Sequence, residues 1–208
     1  MSLPIPEEGQ TVRISKGPLS LVLRKERGAL CLLTHQGDQE KRHLLGLPKA
    51  GHLELHARAP DHRIQVHVSD AMTLAPGGRI RGYIAVALPH RLVWRRPNGK
   101  IEPLLDVLPR ELKTSWLGEG SGGGYIHETE SAFHLQREEV RADILAMVPV
   151  LLLNACERTL SPDTLTISLR DRDLREVGDA IVASPRRLSF GDHDQVEETI
   201  RPLPRQSA

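Results

Sequence analysis

The 208-residue chain contains few aromatic residues and few cysteines. Tryptophan, tyrosine and phenylalanine occur twice each and make up 3% of the sequence. Leucine, isoleucine, valine and alanine must therefore supply most of the core. The two cysteines, Cys31 and Cys156, are distant in sequence and lie within apolar runs. We expect them to be buried and not to form a disulfide.

Long apolar segments are also missing. The longest apolar stretch, residues 144–153, has about half the length that a membrane-spanning helix requires. The first residues do not show the basic and apolar regions of a secretory signal. These absences predict a soluble, cytoplasmic protein that does not insert into a membrane.

Glycine and proline are abundant, with 17 and 15 residues. Such a density indicates frequent chain reversals and favours many short strands over a few long helices. Apolar and polar residues alternate with a period of two in most segments between the reversals. The sequence therefore predicts an all-β, mostly antiparallel, β-sandwich-like protein with at most a short helix.

The net charge of +1 conceals an asymmetry along the chain. Residues 1–104 carry 16 Lys or Arg and 9 Asp or Glu, whereas residues 105–208 carry 12 and 18. Strand spacing also loosens near the point where the charge reverses. We therefore expect two packed β subdomains, 1–104 and 105–202, followed by a loose tail, 203–208.

Turn residues predict several hairpins. Segments 19–24 and 29–33 flank Arg27-Gly28, and Asn98-Gly99 separates two further apolar runs. Residues 138–153 alternate like a strand but also show a helical stripe, and Pro149 argues against a long helix. We favour strands there, although residues 138–148 fit either structure.

The clearest alternation predicts a hairpin of residues 52–58 and 62–68 around Pro60-Asp61. Its register would pair residue 57 with 64, 55 with 66 and 53 with 68. One face of this hairpin would be apolar, with Leu53, Leu55, Ala57, Ile64, Val66 and Val68.

The opposite face of the same hairpin would carry His52, Glu54, His56 and His67. Directly opposed side chains in a sheet stand about 5 Å apart, so these imidazoles and the carboxylate could converge on one zinc ion. A metal-binding protein or a metal-dependent enzyme is therefore one hypothesis. The alternative is a solvent-facing polar surface that is rich in histidine.

The glycine-rich segment Gly118–Gly124 contains the spacing of a dinucleotide-binding turn. The residues after it alternate like a strand, whereas a dinucleotide site requires a helix there. A connection between strands is the simpler interpretation. The sequence contains neither a P-loop nor a serine-hydrolase elbow, and we assign no catalytic residue.

A basic stretch is the third candidate, with Arg79, Arg81, Arg91, Arg95, Arg96 and Lys100. Such a stripe could contact nucleic-acid phosphates, but only Tyr83 and Trp94 lie nearby as stacking platforms. Basic residues also protect strand edges from aggregation. We therefore do not expect a nucleic-acid partner, and binding of nucleic acid through residues 79–100 is an alternative hypothesis.

Three segments resemble a known family. These are residues 111–118 with the glycines after them, Gly124-Tyr125-Ile126-His127, and the apolar run from Pro149 to Asn154. They are similar to the bacterial and archaeal family catalogued as domain of unknown function 432. The chain lacks a cysteine that we associate with the family after its glycine run, so no site is transferred. The resemblance implies an all-β accessory protein, and a non-enzymatic module that binds a protein partner is our leading hypothesis.

Overall fold

The computed structural model describes residues 1–16, 19–36, 39–48, 50–110, 112–117, 124–140, 145–178, 180–192 and 196–202. These residues form an all-β protein with mostly antiparallel strands, which confirms the predicted fold class. The strands are β1 (Ser2–Leu3), β2 (Thr11–Lys16), β3 (Leu19–Glu26), β4 (Ala29–Gln36), β5 (Gln39–Leu45), β6 (His52–Ala57), β7 (Ile64–Val68), β8 (Arg79–Ala87), β9 (His90–Arg95), β10 (Ile101–Val107), β11 (Lys113–Leu117), β12 (Gly124–Ser131), β13 (Leu145–Asn154), β14 (Thr164–Ile167), β15 (Leu174–Val177), β16 (Ala180–Ala183), β17 (Arg186–Phe190) and β18 (Val196–Ile200).

Helical structure in the described residues includes the three-residue 3-10 turns Arg137–Glu139 and Asp171–Asp173. No helix in the described part of the chain has the length and hydropathy needed to cross a membrane.

The chain divides into two compact units. The first contains Met1–Arg58 and Leu88–Leu112, and the second contains Ala59–Ala87 and the chain from Lys113 onward. These units differ from the contiguous subdomains 1–104 and 105–202, because Ala59–Ala87 lies with the second unit. The expected tail, 203–208, falls outside the described residues.

The first unit contains two four-stranded antiparallel sheets, with strand orders β2-β3-β4-β5 and β1-β6-β9-β10. The β3–β4 hairpin turns at Arg27 and Gly28, whose φ angles of 49° and 79° suit a two-residue hairpin turn. The predicted β9–β10 hairpin at Asn98-Gly99 is also present. Both predictions from local turn residues are therefore confirmed. The core is largely leucine, as the composition requires: Leu19, Leu21, Leu23, Leu30, Leu32, Leu53, Leu55 and Leu92 are buried.

The predicted hairpin of residues 52–58 and 62–68 is wrong. Strand β6 pairs with β1 and β9, so that Leu53 lies opposite Trp94 and not opposite Val68. Strand β7 pairs instead with β12 and β14. The residues expected at the exposed turn, Ala59 and Pro60, are buried, and the backbone N–H of Ala59 donates to the Asp171 carboxylate. Alternation correctly indicated the buried face, but it did not specify the partner strand.

The second unit contains two mixed sheets. One has the order β11-β12-β7-β14, with a parallel β12–β7 pair. The other is built around β13, which pairs antiparallel with β8 along one edge. Along its other edge β13 pairs in parallel with β16 and then with β17, and β15 and β18 complete the sheet.

Residues Leu145–Asn154 form a strand, which confirms the favoured interpretation for that part of residues 138–153. It is wrong for residues 138–140, which belong to the 3-10 turn and the residue that ends it, and residues 141–144 lie outside the described part. Pro149 is accommodated inside this central strand because it lies between the segment that pairs with β16 and the segment that pairs with β17. The N–H of Tyr83, the residue opposite Pro149, donates to His134 and hence points away from β13. The nitrogen of Pro149 therefore faces the other edge, between the segments that pair with β16 and β17. The missing N–H costs no ladder bond there.

Candidate functional site

Strand β6 presents a carboxylate between two imidazoles on the face opposite its buried leucines. The Glu54 Oε1 atom accepts hydrogen bonds from His52 Nε2 at 2.7 Å and from Arg95 Nε at 2.6 Å. Its Oε2 atom accepts from His56 Nε2 at 2.6 Å and from Arg95 Nη2 at 3.0 Å. We call His52, Glu54, His56 and Arg95 the Glu54 cluster. Arg95 comes from β9, where it pairs with His52 in the register.

The Glu54 cluster stabilises a permanent anion. Hydrogen bonds from Arg95 and then from His56 hold the pKa of Glu54 well below its ordinary range. Such a carboxylate is a poor general base, because a useful base has a pKa near the operating pH. The cluster therefore acts as a fixed polar connection between β6 and β9.

The structure brings together three of the four residues proposed for zinc. His67 lies on β7 between β12 and β14, where its Nδ1 atom is 3.5 Å from Thr164 Oγ1. In the described residues, no group of three or more histidine, cysteine, aspartate or glutamate side chains is arranged to hold a metal ion. His52 and His56 both point Nε2 at the carboxylate of Glu54, which already binds Arg95. The zinc hypothesis stays a prediction, without a closed site to support it.

The basic stretch is neutralised over much of its length. Four of its six cations form ion pairs with carboxylates of the same sheet: Arg91 with Asp106, Arg95 with Glu54, and Arg96 and Lys100 with Glu102. Hydrogen bonds from the arginines lower the pKa values of Glu102 and Asp106. The remaining two cations, Arg79 and Arg81, lie on β8 in the second unit.

A group of aromatic rings lies at one end of the sheet β11-β12-β7-β14. Trp116 and Tyr125 are directly opposite in the β11–β12 register, and their rings meet edge to face with centroids 5.0 Å apart. The ring of His62 lies 5.8 Å from Tyr125 and 5.4 Å from His127. We call these four residues the aromatic cluster. Trp116 is 53% exposed and Tyr125 is 58% exposed.

The aromatic cluster forms where the buried face of this sheet reaches solvent. Along β12, the alternate residues Tyr125, His127 and Thr129 point to one face, and only Tyr125 is exposed. His127 is fixed by a 3.0 Å contact between its Nδ1 atom and Thr114 Oγ1. Burial, followed by the neighbouring His62, lowers the pKa of His127. The cluster thus combines the buried ring of His127 with an exposed aromatic rim.

Sequence reasoning missed this cluster, although a signal was present. The glycine-rich residues 118–123 lie outside the described part, but the strands on either side of them, β11 and β12, pair antiparallel. In the antiparallel pair of β11 and β12, Trp116 lies opposite Tyr125, because one is close to the end of β11 and the other to the start of β12. The hairpin register was the missing step.

A cleft of about 340 Å³ in the second unit offers less chemistry. Its lining includes Ser161, Asp163, Thr164 and Phe190. The nearby thiol of Cys156 contacts the carbonyl oxygen of Phe190 at 3.3 Å, and burial raises its pKa. A thiol with a raised pKa is a weak nucleophile at neutral pH. We therefore assign the thiol of Cys156 to the packing beside the cleft.

These observations define an all-β protein of two compact units, one with a fixed ionic cluster and the other with an exposed aromatic cluster. No family model, curated protein or solved structure matches the chain.

Proposed function

We propose that the protein is a non-enzymatic binding protein that takes up an extended peptide segment of a partner protein along β11. The exposed pair Trp116 and Tyr125 carries this proposal, since their rings would pack against side chains of the added segment. Recognition of this kind combines backbone hydrogen bonds at a sheet edge with contacts to neighbouring side chains.

Strand β11 is the terminal strand of its sheet. Within the described residues it pairs with β12 alone, so that part of its backbone is available to a further strand. Most other edge strands carry two or more charges, such as Glu40, Lys41 and Arg42 on β5, although β1 and β14 carry none. Strand β11 has a single charged residue, Lys113, together with the exposed indole of Trp116. It is thus poorly protected against strand addition.

Exposed aromatic area supports the same surface. The other tryptophan, Trp94, is buried, so exposure is not the rule for the few aromatic residues of this chain. An aromatic side chain offers 150–250 Å² for burial, and covering the exposed half of one ring contributes roughly 2–3 kcal/mol. Tryptophan and tyrosine are the residues most enriched at binding hot spots.

A non-enzymatic role is supported by the polar groups described above. The pKa of Glu54 is too low for a general base, and that of Cys156 is raised. The proposal includes a cytoplasmic location of the protein and a sandwich-like packing of its sheets. The buried thiols of Cys31 and Cys156 fit a reducing compartment.

Site-specific photo-crosslinking in a lysate of the native cell tests the proposal. A photoreactive residue at position 113 of β11, three residues before Trp116, should form one discrete adduct with a protein. The matched control is the same residue at Leu44, which is 64% exposed on edge strand β5. The double variant Trp116→Ala/Tyr125→Ala should abolish the adduct at position 113.

A synthetic peptide from the crosslinked protein then provides a quantitative test. Loss of both rings should weaken its binding by at least about 30-fold, as expected for a hot spot. An adduct that persists in the double variant, or that forms equally at Leu44, would exclude this surface. Failure to form any adduct at position 113 would also count against it.

A further inference from the structure

One face of the sheet around β13 carries arginines on both sides of an apolar strand. Side chains at odd-numbered positions of β8, β13 and β17 share this face, because directly paired residues point the same way. Arg81, Leu151 and Arg187 form one row across the three strands, and Arg79, Leu153 and Ser189 form the next. We call these six residues the arginine face.

The positive charge of the arginine face is uncompensated within the described residues. Arg79, Arg81 and Arg187 are exposed, and none of them has an ion-pair or hydrogen-bond partner in that part of the chain. The arginines of the first unit differ in this respect, since Arg91 and Arg96 each contact a carboxylate. Unpaired arginines on one surface produce a local positive potential.

The rows next to the arginine face add one cation and one anion, so the excess of positive charge remains. Arg175 lies opposite Val182 on the same face, and Glu197 lies opposite Ser189 as a single carboxylate. Together with these two neighbours, the arginine face carries four cations and one anion. Its sign is complementary to a polyanion.

The centre of the arginine face is apolar. Leu151 and Leu153 are half-buried, and Tyr83 lies in the following row opposite Pro149. Two strand spacings separate Arg81 from Arg187, or about 10 Å between backbones, and Arg79 and Arg81 lie about 7 Å apart along β8. A floor of this width between cationic rims accommodates one extended strand of a polymer.

We propose that the arginine face binds single-stranded nucleic acid. The guanidinium groups of Arg79, Arg81 and Arg187 contact phosphates, for which the planar fork of arginine is well suited. Sugars and bases lie over Leu151, Leu153 and the ring of Tyr83. This surface is distinct from the peptide-binding edge proposed for β11.

Nucleic acid fits this surface better than an anionic membrane does. Peripheral proteins insert exposed apolar side chains into the lipid, whereas Leu151 and Leu153 are half-buried between longer arginines. All the unpaired cations of the two central rows are arginines, which favours bidentate contacts with phosphate.

Fluorescence polarisation with a labelled 20-nucleotide single-stranded DNA tests the inference on the full chain. The triple variant Arg79→Ala/Arg81→Ala/Arg187→Ala removes three unpaired charges. The control Arg24→Ala/Arg91→Ala/Arg96→Ala removes three arginines that are paired with carboxylates. Both variants change the net charge equally, so that a difference between them depends on position.

Binding of the wild type should weaken as salt rises. Each phosphate contact contributes about 0.7 to the slope of log K against log salt concentration, so the triple variant should lower the slope by about 2. If the wild type and the triple variant bind equally at 1 M salt, this difference in slope makes the variant bind about 100-fold more weakly at 0.1 M salt. The control variant should retain most of the wild-type affinity and slope.

Three outcomes would overturn the inference. The first is absence of DNA binding at 50 mM salt, and the second is an equal loss of affinity in the control variant. The third is preferential binding to vesicles containing phosphatidylserine or to polyglutamate in parallel titrations. Thermal melting of both variants separates loss of binding from unfolding. Their melting temperatures should change little, because the replaced side chains lie at the surface.

Discussion

The guanidinium of Arg186 lies 3.0 Å from the carboxylate of Asp173, and both side chains are buried in the second unit. Arg186 also donates to the backbone carbonyl of Ser168 at 2.8 Å, and its Nε atom lies 3.1 Å from Glu198 Oε1. The carboxylate of Glu198 in turn accepts the backbone N–H of Ser168. This ionic group connects β17 to β18 and to the segment before β15.

Arg186→Ala should destabilise the protein by about 3–5 kcal/mol, because it leaves the buried carboxylate of Asp173 without its cation. The neighbouring replacement Arg187→Ala is the control, since that side chain is exposed on the other face of the same strand. It should change the free energy of unfolding by no more than about 0.5 kcal/mol. Urea denaturation measures both, and equal effects would contradict a structural role for the buried pair.

His90 should make stability depend on pH between about 6.5 and 4. It is buried, its Nδ1 atom is 2.9 Å from the carbonyl oxygen of Leu88, and burial lowers its pKa from 6.5 to about 4. As pH falls below 6.5, the unfolded state binds a proton that the folded state does not accept. The lost stability is about 3 kcal/mol by pH 4, at roughly 1.4 kcal/mol for each pKa unit.

The variant His90→Gln should flatten this pH dependence, whatever its effect on stability at neutral pH. His43 and His127, whose pKa values are also lowered, retain their own contributions. Replacement of the exposed His67 by glutamine is the control and should leave the profile unchanged. Urea denaturation at several pH values gives the profiles, and a steep decline retained in His90→Gln would refute the assignment.

Glu54 should contribute stability that disappears at lower pH. Its folded-state pKa lies below the ordinary value of 4.5, chiefly because of Arg95. A carboxylate with a depressed pKa stabilises the folded state above its unfolded-state pKa and loses that contribution as pH falls through the lower range. Glu54→Gln should therefore melt at a lower temperature than wild type at pH 7, and the difference should shrink below pH 4.5.

Thermal melting of Glu54→Gln across pH values provides this measurement. Glu138→Gln is the matched control, because Glu138 is exposed in the 3-10 turn Arg137–Glu139. It should differ little from wild type at any pH. A melting difference for Glu54→Gln that stays constant from pH 7 to pH 3 would show that charge is not the cause.

Gly82 is required where β8 passes beneath Phe133. A Cβ atom at this position would meet the ring of Phe133 and would lie 2.5 Å from the carbonyl oxygen of His134. The backbone of His134 cannot retreat easily, since it exchanges two hydrogen bonds with Tyr83. Gly82→Ala should therefore cost about 1–3 kcal/mol through overpacking.

The matched replacement is Gly46→Ala, because a Cβ atom there meets no other atom within 4 Å. Urea denaturation should place it close to wild type, and a similar loss of stability in both variants would exclude the proposed clash. In Gly82→Ala, the additional replacement Phe133→Ala should recover only part of the stability. The contact with the backbone of His134 would remain.

The pattern of residues along single strands determined much of the candidate sites. Alternation placed His52, Glu54 and His56 on one face of a strand and buried Leu53 and Leu55 on the other. It could not reveal that Arg95 completes the cluster, because Arg95 belongs to a strand about 40 residues further along the chain. It also joined His67 to this group through a hairpin that does not form.

Local sequence determined the all-β class, the buried faces of the strands, and the hairpins at Arg27-Gly28 and Asn98-Gly99. The alternation of side chains and the conformation of a short turn depend on adjacent residues, so both can be inferred from a single segment. Only the tertiary structure decided that β6 pairs with β9 and that β7 pairs with β12. Many strands with the same alternation can cover one apolar face, and the choice among them depends on packing between distant parts of the chain.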